Sequence, residues 1–393
     1  MDALAPKSIL AMRLERDGTA QVTFDDGRGF TWQLGRVGFG PTSAIAETTC
    51  LLSESKLALR TVQGDEIIVE LPSRTDLAPV GERSTVYLDQ NHWSTLTNAI
   101  YEPTRVANKH ERDAANELIE LVEARRVVLP MSSAHMAETC KQVDARQRYR
   151  RALTIARLSA GWQMRDPLHI RQLELEHALC GRYSEVPFPL SAAITLEPHA
   201  LTAGRDTVRM QSSVDLPAEM RWISTVVTCF GGLFDTMLDA KHVEMIPTPG
   251  WTAEFQRFAT FLKDNPTDAK LKRRRTHAKF VTDLGAELAK AAHSAGITPE
   301  QMYEWALNYS EQDVCEMPTL GLYREVIHEK LSDSQLIWRD NDLVDMMYLT
   351  AAAGYCDHVV AERTHASHIQ NSHRRLQRVN NIHRNLRSLI SNL

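Results

Sequence analysis

The chain has 393 residues, of which 43% are hydrophobic and 24% charged, and its formal net charge is −5. This length allows two or three domains, and the composition excludes a disordered or fibrous protein. No apolar run reaches the ~18 residues that a membrane helix needs, so we expect no membrane partner. The six cysteines form no CxxC pair and the N-terminus has no export-type apolar core. We therefore expect reduced thiols and a cytoplasmic protein.

The first 79 residues have the pattern of an antiparallel β domain. Apolar and polar residues alternate on both sides of Asp25-Asp26-Gly27, and again on both sides of Gln63-Gly64-Asp65. Both tripeptides are typical of tight turns between strands. We expect residues 1–79 to form a small β-rich domain ending in a linker at 71–79, with a protein regulator as its candidate partner.

The chain then changes to alternating strands and helices. Residues 85–88 form a short apolar run with β-branched members, which is typical of a buried parallel strand. Residues 127–129 repeat the pattern before a predicted helix, and a helix at 342–353 with a strand at 357–360 resumes it. Helical patterns dominate the residues between about 145 and 335. We expect an α/β domain over 80–393 with a helical insertion at about 145–335.

The C-terminal tail is predicted to be one basic amphipathic helix from about residue 366. Its apolar residues recur every three or four positions, the spacing of one helix face. They are Leu376, Val379, Ile382, Leu386 and Leu389. No acidic residue follows Glu362 in this tail.

Four carboxylates lie beside predicted strand ends or helix starts: Asp89, Glu138, Asp345 and Glu362. Each alone has an ordinary explanation, as a helix cap, a solvated side chain or a favourable charge at a helix N-terminus. Together they could meet at one edge of a parallel sheet, where their mutual repulsion requires a cation. Oxygen ligands favour Mg²⁺ or Mn²⁺, and such a site can activate water for phosphodiester hydrolysis.

Three stretches resemble the motifs of PIN-domain nucleases. These are residues 86–91, a strand ending in Asp-x-Asn; residues 128–138, a strand followed by Ser and an acidic helix; and residues 345–363, an alanine-rich helix followed by a strand and an acid. The resemblance implies a PIN-like fold and a metal-dependent endonuclease acting preferentially on RNA. It also implies that Asp89, Glu138, Asp345 and Glu362 bind Mg²⁺ or Mn²⁺ while Asn91 orients the site.

The resemblance covers about residues 84–140 and 340–370, and it departs from the family pattern at two points. Glu362 stands where Asp is more usual, so Asp357 is a second candidate for the last ligand. Asp342 lies one helical turn before Asp345 and could replace or assist it. The long insertion places the chain among divergent PIN-like proteins. A role as a toxin or defence effector is implied by the resemblance alone.

Any nucleic acid would have to be held by local basic clusters, because the net charge is negative. One cluster lies at residues 146–157, one at 270–275 and one in the tail, and a solvated helix face is the alternative interpretation of each. The candidate contacts to nucleic acid are Lys272, Arg273, Arg274, Arg275, Arg363, Arg374, Arg375 and Arg378.

Two other functions remain open. Arg378 and His383 fit the Arg-x4-His pattern of HEPN ribonucleases, which cleave RNA without a metal by charge stabilisation and proton transfer. A non-catalytic nucleic-acid-binding or scaffold protein with a degenerate PIN fold is the third possibility. His365 and His368 share a face if their segment is helical, but no further ligand completes a zinc set, so we expect ordinary surface histidines.

Overall fold

The computed structural model of the chain describes residues 9–33, 42–73, 75–185, 188–202, 218–239, 249–333, 338–339 and 341–393. The chain forms two compact units, each assembled from three segments. The first unit comprises residues 1–83, 93–164 and 194–244, and the second comprises 84–92, 165–193 and 245–393. Arg74 in the predicted linker and residues 186–187, 203–217, 240–248 and 334–335 of the predicted insertion lie outside the described residues.

The first unit contains a six-stranded antiparallel sheet, which confirms the antiparallel strands expected near the N-terminus. In chain order the strands are β1 Ile9–Glu15, β2 Thr19–Phe24, β3 Gly29–Gln33, β4 Ile45–Leu51, β5 Lys56–Thr61 and β6 Glu66–Glu70. Their order across the sheet is β3-β2-β1-β4-β5-β6. Leu59 of β5 and Ile67 of β6 are fully buried. Gly64 has φ +87° in the turn between β5 and β6, a conformation that glycine adopts without strain.

The remaining elements are mostly helices. In chain order they are β7 Ser84–Leu88, α1 Gln90–Tyr101, α2 Lys109–Glu123, β8 Val127–Val128, α3 Ser133–Cys140, α4 Ala145–Ser159, β9 Gln163–Met164, α5 Pro167–Tyr183, β10 Ile194–Thr195, α6 Ala218–Leu238, α7 Pro249–Asp264, α8 Ala269–Asp283, α9 Gly285–Ser294, α10 Pro299–Asn308, α11 Ser310–Glu316, α12 Pro318–Ser332, α13 Asp342–Tyr355, β11 His358–Val360, α14 Arg363–Arg375, β12 Ile382–His383 and α15 Leu386–Ile390. The chain is thus a mixed α/β protein. No helix in the described ranges is long and apolar enough to cross a membrane.

Within the first unit, helices pack on the antiparallel sheet. Helix α4 contacts β6, and α6 contacts β4. Gly161, just after α4, allows a close approach to the sheet, because a Cβ built there would lie 2.4 Å from Cγ1 of Val69. The short strands β9 and β10 pair antiparallel in the predicted helical insertion, where the sequence pattern indicated helices only.

Within the second unit, three strands are parallel. Strand β11 lies between β7 and β12, with Val360 opposite Leu88 on one side and His383 on the other. Val359 and Val360 are fully buried, as the short apolar strand patterns require. The expected parallel strands at 85–88 and 357–360 are confirmed, whereas β12 was not expected.

Helix α12 is the centre of the second unit. It contacts α5, α7, α8, α11, α13 and α14, and the charged residues Arg324, Glu325 and Lys330 on it are buried. Glu325 is fully buried and forms ion pairs with Arg273 at 2.6 Å and Arg324 at 2.8 Å. The carboxylate of Glu174 accepts hydrogen bonds from the first backbone N–H groups of α12, which satisfies that helix end.

The prediction of one continuous helix in the tail is wrong. Helix α14 ends at Arg375, Gln377 has φ +55°, and the chain continues into β12 and the five-residue α15. The guanidinium of Arg378 donates to the carbonyls of Cys315, Met317 and Pro318, which fixes the break. Ile382 is buried in the strand, but Val379 is 89% exposed, so the predicted helix face does not exist.

We predict that stability falls in mild acid because two half-buried histidines are neutral. Burial, aided by neighbouring arginines, lowers the pKa of His277 and His328 to about 4 from 6.5. The unfolded chain therefore binds more protons than the folded chain between pH 6.5 and 4. The stability that the two histidines contribute is fully present above this window and is lost as the pH falls through it. Each histidine should cost on the order of 1–2 kcal/mol between pH 7 and 5.

The urea midpoint at pH 7, 6 and 5 measures this loss. His328→Asn keeps an acceptor near the Thr276 hydroxyl, which lies 2.7 Å from Nδ1, and should decline less steeply with pH than the native chain. His293→Asn, at an exposed histidine of α9, should follow the native slope. Equal slopes for all three proteins would contradict the assignment.

Candidate functional site

Strand pairing brings two of the predicted carboxylates to one sheet edge. Asp89 directly follows β7, and its N–H donates to the carbonyl of Val360 at 2.9 Å. Glu362 follows Val360 by two residues and flanks the start of α14. Because β7 and β11 are parallel, both residues lie at the carboxyl ends of their strands, where ligand sites form in α/β proteins.

Asn91 connects to this edge. It lies in the first turn of α1, and its side-chain amide donates a hydrogen bond to Oε1 of Glu362. One carboxylate oxygen of Asp89 accepts the N–H of Gln90 at 2.7 Å, at the start of the same helix. The structure thus brings Asp89, Asn91 and Glu362 together at the carboxyl ends of β7 and β11.

Helix α13 contributes two acids with different surroundings. Oδ2 of Asp342 accepts from the ammonium of Lys330 at 2.5 Å and from the N–H of Arg339 at 3.0 Å. Asp342 is therefore buried and charge-paired. Asp345, one turn later, has a side chain that is 46% exposed and lies 3.9 Å, Oδ2 to Nε2, from His365. Asp345 is the acid of this helix that faces another potential ligand.

In the sequence His365 was considered only together with His368, and it was not predicted to lie beside the acids. It lies on α14, three positions after Glu362, and its side chain is only 17% exposed. Burial lowers its pKa, Asp89, Asp342 and Glu362 oppose that shift, and Lys330 adds to it. The effect of burial on the pKa of His365 thus outweighs the effect of the acids near the ring. The expectation of an ordinary surface histidine stays a prediction for His365, whose side chain is 17% exposed.

Asp357 lies at the other end of β11. Its Oδ2 accepts from the N–H and from the hydroxyl of Thr85, each at 2.8 Å, and its own N–H donates to that hydroxyl at 2.9 Å. The four-residue step to Ala361 spans ~13 Å in a strand. Asp357 therefore ties the amino ends of β7 and β11 together, and Glu362 is the acid at their carboxyl ends.

Glu138 belongs to the first compact unit. It lies on α3, forms an ion pair with Lys141 and is close enough to Arg151 to oppose the effect of burial on the pKa of that arginine. Its carboxylate is therefore surrounded by cations within its own unit. The assignment of Glu138 as a metal ligand stays a prediction from sequence.

The acids at this edge offer hard oxygen donors, and His365 offers one nitrogen. Among the described residues, no group of three or more His, Cys, Asp or Glu side chains is arranged to hold a metal ion. Mg²⁺ commonly takes only one or two carboxylates from a protein and completes its shell with water and substrate phosphate. The donor chemistry therefore fits a divalent cation that depends on few protein ligands.

Several predicted nucleic-acid contacts already have partners within the chain. Arg273 pairs with buried Glu325, Arg375 pairs with Glu329 at 2.8 Å, and Arg275 donates to the carbonyl of Asn265 at 3.1 Å. Lys272 is half-buried, whereas Arg274, Arg363 and Arg374 are exposed. Arg363 directly follows Glu362 and is thus the exposed predicted cation next to the site in sequence.

The residues of the HEPN-type pattern have other partners. The guanidinium of Arg378 donates hydrogen bonds to three backbone carbonyls, as described for the tail. Nε2 of His383 lies 3.0 Å from Nδ1 of His358 on the neighbouring strand. Both side chains thus make structural contacts, whereas the HEPN-type mechanism needs them at the scissile phosphate.

Comparisons of the chain with known protein families, with curated proteins and with solved structures find no match. Its function is therefore inferred from its own residues and contacts.

We predict that Thr85 is a structural residue. Thr85→Val keeps the shape but removes the hydroxyl that bonds Asp357, so the free energy of unfolding should fall by about 1–2 kcal/mol. Thr350→Val is a matched control, since that buried hydroxyl bonds only helix carbonyls of its own α13 and should cost less. Urea denaturation measures both. An unchanged midpoint in Thr85→Val would show that the Asp357 contact does not hold the strands.

Proposed function

We propose that the chain is a metal-dependent endonuclease with a PIN-like site, acting on RNA in preference to DNA. The observation that carries the proposal is the parallel register of β7 and β11, which sets Asp89 and Glu362 at one sheet edge with Asn91 bonded to Glu362. Two carboxylates at adjacent strand ends are a suitable anchor for Mg²⁺ or Mn²⁺. The preference for RNA comes from the resemblance to PIN domains alone.

The bound cation would activate a water and neutralise charge that develops on the scissile phosphate. The residues of the chain have separate tasks around it. Asp89 and Glu362 bind the cation, and Asn91 fixes the Glu362 carboxylate through its amide. The assignment of Asp345 on α13 as a further ligand stays a prediction from sequence, and Asp342 is already paired with Lys330.

Exposed cations on α14 are the proposed contacts to the substrate backbone. Arg363 and Arg374 are both exposed, and Arg363 begins the helix next to Glu362. Arginine binds phosphate oxygens through paired N–H donors without reading sequence. Cleavage specificity, a role as a toxin or defence effector, and a regulator on the N-terminal sheet remain predictions from sequence.

No specific observation favours the HEPN-type ribonuclease or the non-catalytic protein. A HEPN-type mechanism needs Arg378 and His383 at a scissile phosphate, and Arg378 already donates to three carbonyls. A scaffold or nucleic-acid-binding protein would use the same exposed arginines but would not need Asp89, Asn91 and Glu362 at one edge. Activity measurements separate the three.

We predict that Asp89→Asn lowers metal-dependent cleavage of single-stranded RNA by at least about 100-fold, because loss of outer-shell partners alone costs 10–100-fold. EDTA should abolish cleavage by the native chain, and added Mn²⁺ or Mg²⁺ should restore it. Labelled RNA and DNA substrates resolved on gels measure the rates.

His383→Ala is the control variant and should retain cleavage. EDTA-resistant cleavage lost in His383→Ala would instead establish the HEPN-type mechanism. Intact RNA and DNA under all metal conditions, with retained nucleic-acid binding, would establish the non-catalytic role.

A further inference from the structure

The second unit contains a cavity of about 590 Å³ between α5, α11 and the start of α12. All of its lining residues belong to that unit. Cavities of about 300–1,000 Å³ with a few convergent polar groups are typical of sites for small organic ligands. In the described part of the chain, the cavity shares no lining residue with the sheet edge of Asp89 and Glu362. It is therefore a candidate binding site separate from the proposed catalytic one.

Two contacts fix the ends of this cavity. The α5 residues that line it extend from Glu174 to Arg182 with the spacing of one helix face, over a rise of ~12 Å. At one end, the Glu174 carboxylate accepts the N–H of Thr319 at 2.7 Å and that of Leu320 at 2.9 Å. At the other end, Nε of Arg182 donates to Oδ2 of Asp313 at 3.0 Å. The cavity is thus elongated along α5.

Small and aliphatic residues form the middle of the cavity. Ala178 and Gly181 lie on the α5 side, and a Cβ built at Gly181 would meet no atom within 4 Å. Met317 and Pro318 lie on the other side, between Asp313 and α12 in the chain. The two ends are therefore polar, whereas the space between them suits an aliphatic chain.

The charged groups of the lining are mostly acidic. Three carboxylates, those of Glu174, Asp313 and Glu316, stand against the single guanidinium of Arg182, which is already bonded to Asp313. Burial raises the pKa of Glu174, because its charged form loses hydration. A cationic ligand would offset that loss, whereas an anionic ligand would meet repulsion without a free arginine to bind it.

The histidine of the lining adds an acceptor for N–H donors. Nδ1 of His177 lies 2.8 Å from the carbonyl oxygen of Phe188. A carbonyl can only accept, so Nδ1 donates and Nε2 of the neutral ring is left as an acceptor. Oε2 of Glu174 accepts from Leu320, and a carboxylate oxygen can accept a second donor. These groups suit a ligand that is rich in N–H donors.

We propose that this cavity binds a linear aliphatic polyamine, with one ammonium group beside Glu174 and another beside Glu316. The aliphatic carbons between the ammonium groups would pack on Ala178, Met317 and Pro318. Charge-assisted hydrogen bonds to carboxylates give such a site its affinity, and the length of the cavity favours a linear ligand. The inference does not depend on nuclease activity.

Isothermal titration calorimetry on the full chain, freed of nucleic acid, tests the proposal with spermidine as the probe. The native chain should bind one spermidine at micromolar concentration and should not bind triethylene glycol, a neutral chain. Gly181→Leu should weaken spermidine binding by at least about 10-fold, because the new side chain fills the cavity and leucine favours a helix over glycine. Gly285→Leu is the matched control, at an exposed glycine of α9 whose Cβ would also meet no atom within 4 Å. It should leave the affinity unchanged.

A second pair of variants tests the charge of the cavity. Glu316→Gln should weaken spermidine binding by at least about 10-fold, since it removes a charged partner of an ammonium group. Glu300→Gln removes the same charge from an exposed position on α10 outside the cavity. It should change the affinity by less than about 2-fold at physiological salt, because distant exposed charges are screened.

The outcomes that contradict the proposal are distinct. Absence of spermidine binding, equal binding of triethylene glycol, or equal affinities of the native chain and Gly181→Leu would each overturn it. Equal losses in Glu316→Gln and Glu300→Gln would show general attraction to an acidic protein and would also overturn it. If Gly181→Leu fails to fold, Glu316→Gln decides, because Glu316 is exposed and the new amide can keep the bond from Gln312.

Discussion

The parallel pairing of β7 with β11 is the interaction on which the candidate site depends. Asn91 and Glu362 are 271 positions apart in the chain, and closing so long a connection costs conformational entropy. Burial of Val86, Leu88, Val359 and Val360 offsets that cost, because each apolar side chain removed from water contributes about 1.5–3 kcal/mol. The register that buries these residues also sets Asp89 and Glu362 at one edge. Core packing and site geometry thus have the same cause.

Helix α12 determines which acids remain available to a ligand. Its last turn carries Lys330, which pairs with Asp342 and lies 4.7 Å from the Trp338 ring. Asp342 is therefore neutralised inside the fold, while Asp345, one turn further along α13, faces His365. Two acids one turn apart on α13 thus have different partners because of one buried lysine. A buried carboxylate without such a partner would carry a large desolvation cost.

The parts of the fold that could be predicted have local signals. Strands β7 and β11 are short apolar runs, and Asp89 and Glu362 follow them within two residues. The tail could not be predicted in this way, because the spacing of Ile382 and Leu386 fits a helix as well as the strand and short helix that form. The tail forms a strand and a short helix because β12 pairs with β11 and because Arg378 binds backbone carbonyls of another segment. His365 is a similar case, since its proximity to Asp345 depends on how α13 and α14 pack.

The central claim is that the acids at the carboxyl ends of β7 and β11 share one divalent cation. Anomalous diffraction from crystals of the full chain grown with Mn²⁺ tests it most directly. The account predicts a single strong peak within about 2.0–2.4 Å of carboxylate oxygens from Asp89 and Glu362, the ligand distances of such ions. No peak at this edge, or a peak only at the His358 and His383 pair, would contradict it.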